Sequence, residues 1–293
     1  MRMKQDIAQM THTSLRYLIA CFIALAGCVC DADKNRHTEI GPDHATGDSG
    51  LPGDEGDHRA IRMRASKAYA AGLAAITKEP ISSVGDAWIL QEICKVAPDT
   101  ALQQYINDNA VNHVGDPFHL LIDPCAPRIE LPVDPGTGLN RFYNYMLAPF
   151  GTPRERAMIF IHDFMAFHAS GYILTHQFLL LQWAEQIGFE LPEHLVIMRQ
   201  EHLERILQEQ LRNHSFSDLY TERVALLLHF GCQAPENAAN WVKTIVNAQL
   251  QDGSWGMYSE TITFDGQSVT GEPGVSHISA LALLSLRTYL DRY

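Results

Sequence analysis

The sequence predicts an all-α protein, an α/α toroid of stacked helical hairpins that follows a signal peptide and a disordered tether. Apolar residues recur with a helical period through most of the chain after about His58. Segments that are apolar almost all round alternate, at intervals of roughly 50 residues, with segments that carry charge on one side. Inner and outer helices of a toroid alternate in this way, and strand patterns are sparse.

The first 27 residues have the anatomy of an export signal. Arg2, Lys4 and Arg16 precede an apolar run at 17–27. That run has about eleven residues, whereas a helix that crosses a bilayer needs about 20. A basic flank, a short apolar run and small residues at its end are typical of a signal peptide, so we predict cleavage after residue 27.

The end of this run indicates a lipid anchor. Leu25-Ala26-Gly27-Cys28 resembles the lipobox of bacterial lipoproteins, in which the cysteine is diacylated and becomes the new N-terminus. The resemblance implies lipidation of Cys28 and a lipid-anchored membrane protein of the cell envelope, since two or three acyl chains anchor stably. Val29 replaces the aspartate associated with inner-membrane retention, which favours the outer membrane where one exists. The alternative is an ordinary secretory signal with an incidental cysteine.

The chain then divides into a tether and one domain. Residues 28–57 are acidic and rich in Gly and Pro, without aromatic residues or an apolar period. Such a segment buries too little surface to offset the entropy of ordering, so we predict a flexible acidic tether. Residues 58–293 then form the toroid domain, interrupted at about 109–138 by an irregular, proline-rich insertion.

The charge of the chain limits its partners. It has 34 acidic and 22 basic residues, and removing 1–27 leaves 33 against 19. An excess of acidic residues argues against nucleic acid or anionic lipid as a partner of the domain. The expected partners are the membrane, through the lipid on Cys28, and a small-molecule or oligosaccharide ligand. Outside the signal and tether, Cys94, Cys125 and Cys232 allow one disulfide in an oxidising compartment, with Cys94–Cys125 as the pairing considered.

Eight segments fit a helical period. They are Ala60–Lys78, Val84–Val96, Pro153–His168, Tyr172–Ile187, Leu195–Arg212, Ser217–Phe230, Glu236–Leu250 and Val275–Tyr293.

The C-terminal segment resembles a known repeat. Asn247-Ala-Gln-Leu-Gln-Asp-Gly-Ser-Trp-Gly256, followed by His277 and the apolar 280–286, is similar to the repeat of terpene cyclases and protein prenyltransferases. The resemblance implies an α/α toroid in which Asp252-Gly253 forms a tight turn and Trp255 seals the junction between hairpins. It does not imply the chemistry of those enzymes, because the chain lacks their Asp-x-Asp-Asp and Asp-Asp-x-x-Asp motifs.

An alignment of the inner-helix starts predicts a site. Thr175-His176, Thr221-Glu222 and Ser276-His277 each place a hydroxyl residue before a candidate ligand, and Asp86 lies near the equivalent position of a weaker copy. The N-termini of inner helices point into one mouth of a toroid. His176, Glu222 and His277 would suit zinc or iron with an open coordination position. Tyr172 and Tyr220 are expected beside them as ligand-binding residues.

Two other interpretations of these positions remain open. Ser and Thr are common N-caps, and an acid in the first turn complements the helix dipole, so capping alone accounts for the hydroxyl residues, Asp86 and Glu222. It does not account for His176 and His277, because a cation is disfavoured at a helix N-terminus. A polar ligand site without a metal is the second alternative.

The sequence therefore predicts an envelope lipoprotein whose toroid mouth binds a small or oligomeric ligand. The alternative is a hydrolase or lyase, with or without a metal, that acts on an envelope or extracellular polymer, with Asp86 and Glu222 as a carboxylate pair. A third hypothesis is an interaction protein that uses an acidic outer face.

Overall fold

The structure is a computed structural model that describes residues 54–110, 115–231, 235–256, 260–271 and 275–293. The predicted signal peptide, the lipidation site Cys28 and most of the predicted tether lie outside these residues. Within them the chain is mainly helical with little sheet, which confirms the all-α class.

The described chain contains ten α-helices. They are α1 (Asp54–Ile76), α2 (Val84–Val96), α3 (Thr100–Ala110), α4 (Gly138–Met146), α5 (Arg154–Met165), α6 (Gly171–Gln186), α7 (Glu193–Gln210), α8 (Asp218–Phe230), α9 (Pro235–Asn247) and α10 (Val275–Arg292). Short 3₁₀ turns occupy Pro117–Leu121 and Ala148–Phe150. Strands β1 (Ile129–Glu130) and β2 (Gly151–Thr152) pair in parallel, and β3 (Glu260–Phe264) and β4 (Gln267–Gly271) form an antiparallel hairpin.

Four apolar helices form the centre of the domain. Helix α10 packs against both α2 and α8, and α6 contacts α8. Residues 220–228 of α8 and 277–286 of α10 are buried without a break, as expected of helices surrounded by other elements. Helix α1 covers α10 and α9, while α7 covers α6 and α8.

The turn at Asp252–Trp255 joins this centre to α1. Asp252 Oδ1 accepts from the Ser254 backbone NH at 2.9 Å, and Gly253 adopts a φ of +93°. The Trp255 indole is fully buried and donates to the Ile245 carbonyl at 2.8 Å. A Cβ at Gly72 of α1 would lie 2.5 Å from this indole, so the ring lies directly against the α1 backbone. The turn and the sealing role expected of Asp252-Gly253 and Trp255 are therefore present.

Several boundaries differ from the sequence prediction. Helix α1 begins at Asp54, inside the predicted tether, because the acidic residues before His58 suit the first turn of a helix. Helices α3 and α4 were not predicted, and part of the irregular insertion is the 3₁₀ turn and strand β1. The β3–β4 hairpin was also missed, although Asp265-Gly266 is a strong signal for a tight hairpin turn.

The pairing of Cys94 with Cys125 is wrong. Both are free thiols: Cys94 is partly buried on α2, and Cys125 is exposed in the turn after the first 3₁₀ segment. Cys232 lies outside the described residues.

Among the helices of the described ranges, none combines the length and hydrophobicity needed to cross a bilayer.

Candidate functional site

The N-terminal ends of four helices meet in one buried polar cluster. Asp86 is the third residue of α2, and His277 is the third residue of α10. Asp218 and Glu222 lie one turn apart on α8, and His176 lies on α6. All five side chains are at most 6% exposed, although three of them are carboxylic acids and two are histidines. Groups of this kind are rarely buried unless they are paired or bind something.

His277 is the centre of the cluster. Its Nδ1 lies 3.5 Å from Asp86 Oδ1, and its Nε2 lies 3.7 Å from Asp218 Oδ1. These distances exceed those of normal hydrogen bonds, but they are short enough for strong electrostatic contact in a buried site. The ring is therefore held between two carboxylates on different helices, with one nitrogen facing each.

Asp218, Glu222 and His277 form a group that could hold a metal ion. Each offers a ligand atom, and these atoms lie within 4.8 Å of one another. Ligands at about 2.1 Å in a tetrahedral site are about 3.4 Å apart, so the group needs only a modest contraction. Two carboxylate oxygens and one imidazole suit zinc, iron or manganese, and three protein ligands leave a coordination position open.

Several polar atoms of the cluster have no hydrogen-bond partner. They are Asp86 Oδ1, Asp218 Oδ1, Glu222 Oε1 and both ring nitrogens of His277. Leaving one buried polar group unsatisfied costs about 1–3 kcal/mol, and native proteins contain few such groups. These atoms are concentrated at one point, where a single bound group could contact several of them.

The outer oxygens of the two aspartates are held by hydroxyl groups. Ser82 Oγ donates to Asp86 Oδ2 at 2.5 Å and also lies 2.8 Å from Ser276 Oγ. The Tyr172 hydroxyl donates to Asp218 Oδ2 at 3.0 Å. Each aspartate thus has one oxygen fixed from behind and the other directed at His277, an arrangement that orients both carboxylates.

The cluster shifts the pKa values of its members in different directions. Burial raises the pKa of Asp218 to about 6, and His277 only partly offsets this effect. Burial alone would raise the pKa of Asp86, but His277 and the Ser82 and Ser276 hydroxyls more than compensate and lower it. For His277, burial lowers the pKa, whereas Asp218 and Asp86 raise it and prevail. The pKa values of Asp86 and Asp218, the two carboxylates that face His277, are therefore shifted in opposite directions.

His176 lies beside Asp218, Glu222 and His277 but is not a member of this candidate metal-binding group. Its Nδ1 is 2.8 Å from the Tyr172 carbonyl oxygen and 3.7 Å from Glu222 Oε1. The Phe142 ring covers the imidazole, with centroids 5.4 Å apart. The structure therefore brings together all of Asp86, His176, Glu222 and His277, but Asp218 takes the place that the sequence analysis gave to His176 as a ligand.

Tyr220 does not belong to the site. It is 1% exposed, and its hydroxyl lies near Gln210 and Thr244, which belong to helices α7 and α9. A helix turns by about 100° per residue, so residues 218 and 222 share a face while residue 220 points away from it. The structure therefore does not bring Tyr220 to the cluster, whereas Tyr172 contacts the cluster through Asp218.

The capping alternative accounts for other residues. Ser83 and Ser217 are the N-caps of α2 and α8, and their hydroxyls accept from the backbone NH groups of Asp86 and Tyr220. Thr175 and Thr221 lie inside their helices and donate to carbonyls of the preceding turn. Ser217 already caps the start of α8. Capping therefore does not explain why Asp218 and Glu222 are buried.

A pocket adjoins the cluster. It lies between the end of α1, the segment 79–81, α2, α3 and α10. Asp86 and Ser276 are on its wall, which connects the pocket to the residues that contact His277.

No protein-family model matches this chain, and comparison with curated proteins found no similar sequence.

Proposed function

We propose that this chain is an envelope lipoprotein with an α/α-toroid domain, and that the mouth of the toroid is a metal-dependent hydrolase site. The observation that carries the proposal is the group Asp218, Glu222 and His277, whose ligand atoms lie within 4.8 Å of one another and include atoms without partners. Three protein ligands with an open position are typical of catalytic rather than structural zinc.

The chain's own residues would prepare this site. Asp86 faces His277 Nδ1, and a proton held there leaves the Nε2 lone pair directed towards Asp218. A carboxylate behind a metal-bound histidine fixes the tautomer and the ring orientation. A bound zinc or iron ion would supply Lewis acidity at the open position. The substrate we infer is an extracellular or envelope polymer, because the proposed lipid anchor at Cys28 places the domain outside the cytoplasm.

Support for the toroid comes from the packing order of the apolar helices. Helices α2, α10, α8 and α6 adjoin in that sequence, and their N-terminal ends carry the cluster residues. Outer helices α1 and α7 cover this row. The resemblance of the 247–256 turn to the cyclase repeat agrees with this arrangement.

Metal analysis of the purified full-length chain tests the proposal. We expect one equivalent of zinc, iron or manganese, which is lost in Asp218→Asn and His277→Ala. Asp108→Asn and His168→Ala, which alter exposed residues, serve as matched controls and should keep the metal. Circular dichroism establishes whether each variant is folded. Folded wild-type protein that takes up none of these metals would refute the metal-dependent site and leave a metal-free ligand site.

The anchor has a separate test. Cys28→Ser should move the protein from the membrane fraction to the soluble fraction and remove the acyl mass from the N-terminal peptide. Cys30→Ser, two residues further on, should change neither. Equal membrane association of both variants would refute lipidation of Cys28.

A further inference from the structure

The pocket beside the cluster has an apolar wall and an acidic end. Ile76, Ile81 and Leu90 provide apolar surface, and all three are buried. Asp86, which also belongs to the cluster, lines the pocket, and so does the exposed Glu79. Among the described residues that line the pocket there is no lysine, arginine or histidine. An anionic ligand would therefore meet two carboxylates in the pocket lining, while His277, 3.5 Å from Asp86, is not among the lining residues.

Asp86 is the polar group that identifies the ligand. Its side chain is 2% exposed, and its Oδ1 makes no hydrogen bond, since the nearest partner, His277 Nδ1, lies 3.5 Å away. A buried carboxylate oxygen gains most from a charged donor, since hydrogen bonds between ionised groups are about twice as strong as neutral ones. A bare metal ion would not use the apolar wall, whereas an organic cation satisfies both features.

The remaining polar groups of the pocket are largely occupied. The Tyr105 hydroxyl donates to the carbonyls of Ile76 and Glu79 at 3.1 and 2.5 Å. Ser279 Oγ accepts from the Trp255 backbone NH at 3.1 Å. Burial raises the pKa of Tyr105, and the carboxylates of Asp86 and Glu79 raise it further, so the pocket carries a negative potential.

We propose that this pocket binds a small organic amine, with the ammonium group at Asp86 and the alkyl body along Ile76, Ile81 and Leu90. Asp86 also faces His277, and Ser276 of the pocket wall precedes it in the chain, so a bound amine lies next to the candidate metal group. The idea that this amine is part of the substrate rests on the proposed function. The binding of the amine to the pocket does not depend on it.

Calorimetric titration of the full chain with n-butylammonium, n-butanol and butyrate at pH 8 tests this inference. The three probes have the same alkyl body and differ in charge. We expect n-butylammonium to bind at least tenfold more tightly than n-butanol, and butyrate not to bind. Each methylene added between ethyl- and butylammonium should tighten binding about three- to fourfold. Equal affinity for n-butanol and n-butylammonium would overturn the proposal.

Three variants locate the site. Asp86→Asn should weaken n-butylammonium binding at least tenfold, and Ala75→Leu, which keeps the charge but fills the pocket, should also weaken it. Asp108→Asn removes an exposed charge elsewhere on the surface and should have no effect. An unchanged affinity in folded Asp86→Asn and Ala75→Leu would place binding elsewhere and refute the proposal.

A repeat of the titration with a metal chelator separates this inference from the proposed function. Amine binding by a chain that takes up no metal would support the pocket and refute the hydrolase site. A chain that holds the metal but binds n-butylammonium no better than n-butanol would support the metal site and refute the amine pocket.

Discussion

Among single residues, His277 has the most informative environment, because each ring nitrogen faces a different buried carboxylate. The contact with Asp86 at 3.5 Å does not add a ligand to the candidate metal group but orients the ring that provides one. A residue that acts only through a neighbour should have a smaller effect on metal affinity than the neighbour itself.

This difference gives a residue-scale prediction. Asp86→Asn should weaken metal affinity about 10- to 100-fold, the range typical of groups that orient a metal ligand, whereas Asp218→Asn should abolish stoichiometric binding. Competition with a chromogenic chelator measures both. A greater loss in Asp86→Asn than in Asp218→Asn would mean that the two aspartates have been assigned the wrong roles.

Most of the cluster could be predicted from single residues, and the exceptions have clear causes. His176 and His277 could be predicted as site residues, because a histidine near a helix N-terminus is unusual. Asp218 was missed because an acid directly after a serine cap is common in a first turn. Its one distinguishing signal was Glu222, four residues later on the same helix face. Tyr220 is close to Asp218 and Glu222 in sequence, but the turn of the helix directs its side chain away from their face.

At the scale of elements, the apolar helices were predicted well and the short elements were not. Val84–Val96 was predicted with the bounds that the structure gives to α2, because a capping serine and a dense apolar sequence define both ends. Helix α4 has a strongly amphipathic pattern, but it has only nine residues and follows directly on Asp134-Pro135-Gly136, which indicates a loop. The packing order of the helices cannot be obtained from periodicity, because it depends on contacts between distant segments.

The turn at Gly253 allows a matched test of one element. Both Gly253 and Gly266 have positive φ angles, of +93° and +73°. A Cβ at Gly253 would lie 2.5 Å from the Ala71 carbonyl oxygen, whereas a Cβ at Gly266 meets nothing within 4 Å. Gly266→Ala should therefore cost only backbone strain, about 1–2 kcal/mol, and Gly253→Ala at least 2 kcal/mol more. Urea unfolding measures both, and equal losses would contradict the close approach of the turn to α1.

The β3–β4 hairpin is held at its tip by aromatic packing. Phe264 is 3% exposed, and its ring centroid lies 4.5 Å from Phe167 and 5.2 Å from Phe142. Arg141 pairs with Asp265 at 3.0 Å beside this contact. Because Phe142 also covers His176, the hairpin tip supports one wall of the site.

We therefore expect Phe264→Ala to release the hairpin. Backbone amides of β3 and β4 should exchange hydrogen at least tenfold faster, while those of α8 and α10 keep their protection. Val133→Ala, which truncates an exposed side chain outside the hairpin, is the control and should leave exchange unchanged. Mass spectrometry of exchanged peptides distinguishes the two, and equal protection in both variants would show that the aromatic contact does not hold the hairpin.

For the whole molecule, the cluster couples stability to pH. Asp218 has a pKa of about 6 in the fold, above its ordinary value, so the unfolded chain loses this proton first and stability falls as pH rises. The raised pKa of His277 acts in the same direction, because its favourable contacts are lost when it deprotonates. The lowered pKa of Asp86 matters only at more acidic pH.

The metal-free chain should therefore lose stability as the pH rises from about 4 to about 7, by about 2 kcal/mol from Asp218 alone. Bound metal should reverse the trend, since it requires deprotonated ligands and competes with protons at low pH. Urea unfolding with chelator, and again with saturating zinc, measures both slopes. Asp218→Asn in the presence of chelator should flatten the decline, and an unchanged slope would assign it to other groups.

The contact between the 252–255 turn and α1 also has a consequence for how the chain is made. Gln249 Nε2 donates to the Ala68 carbonyl across 181 residues, and α1 packs chiefly on α9 and α10. At translation rates of about 5–20 residues per second, the helix that emerges first waits roughly 10–40 s for its partners. Until then, its apolar side has no native surface to cover it. Folding of such a nascent chain is completed late, when α9 and α10 become available to cover α1.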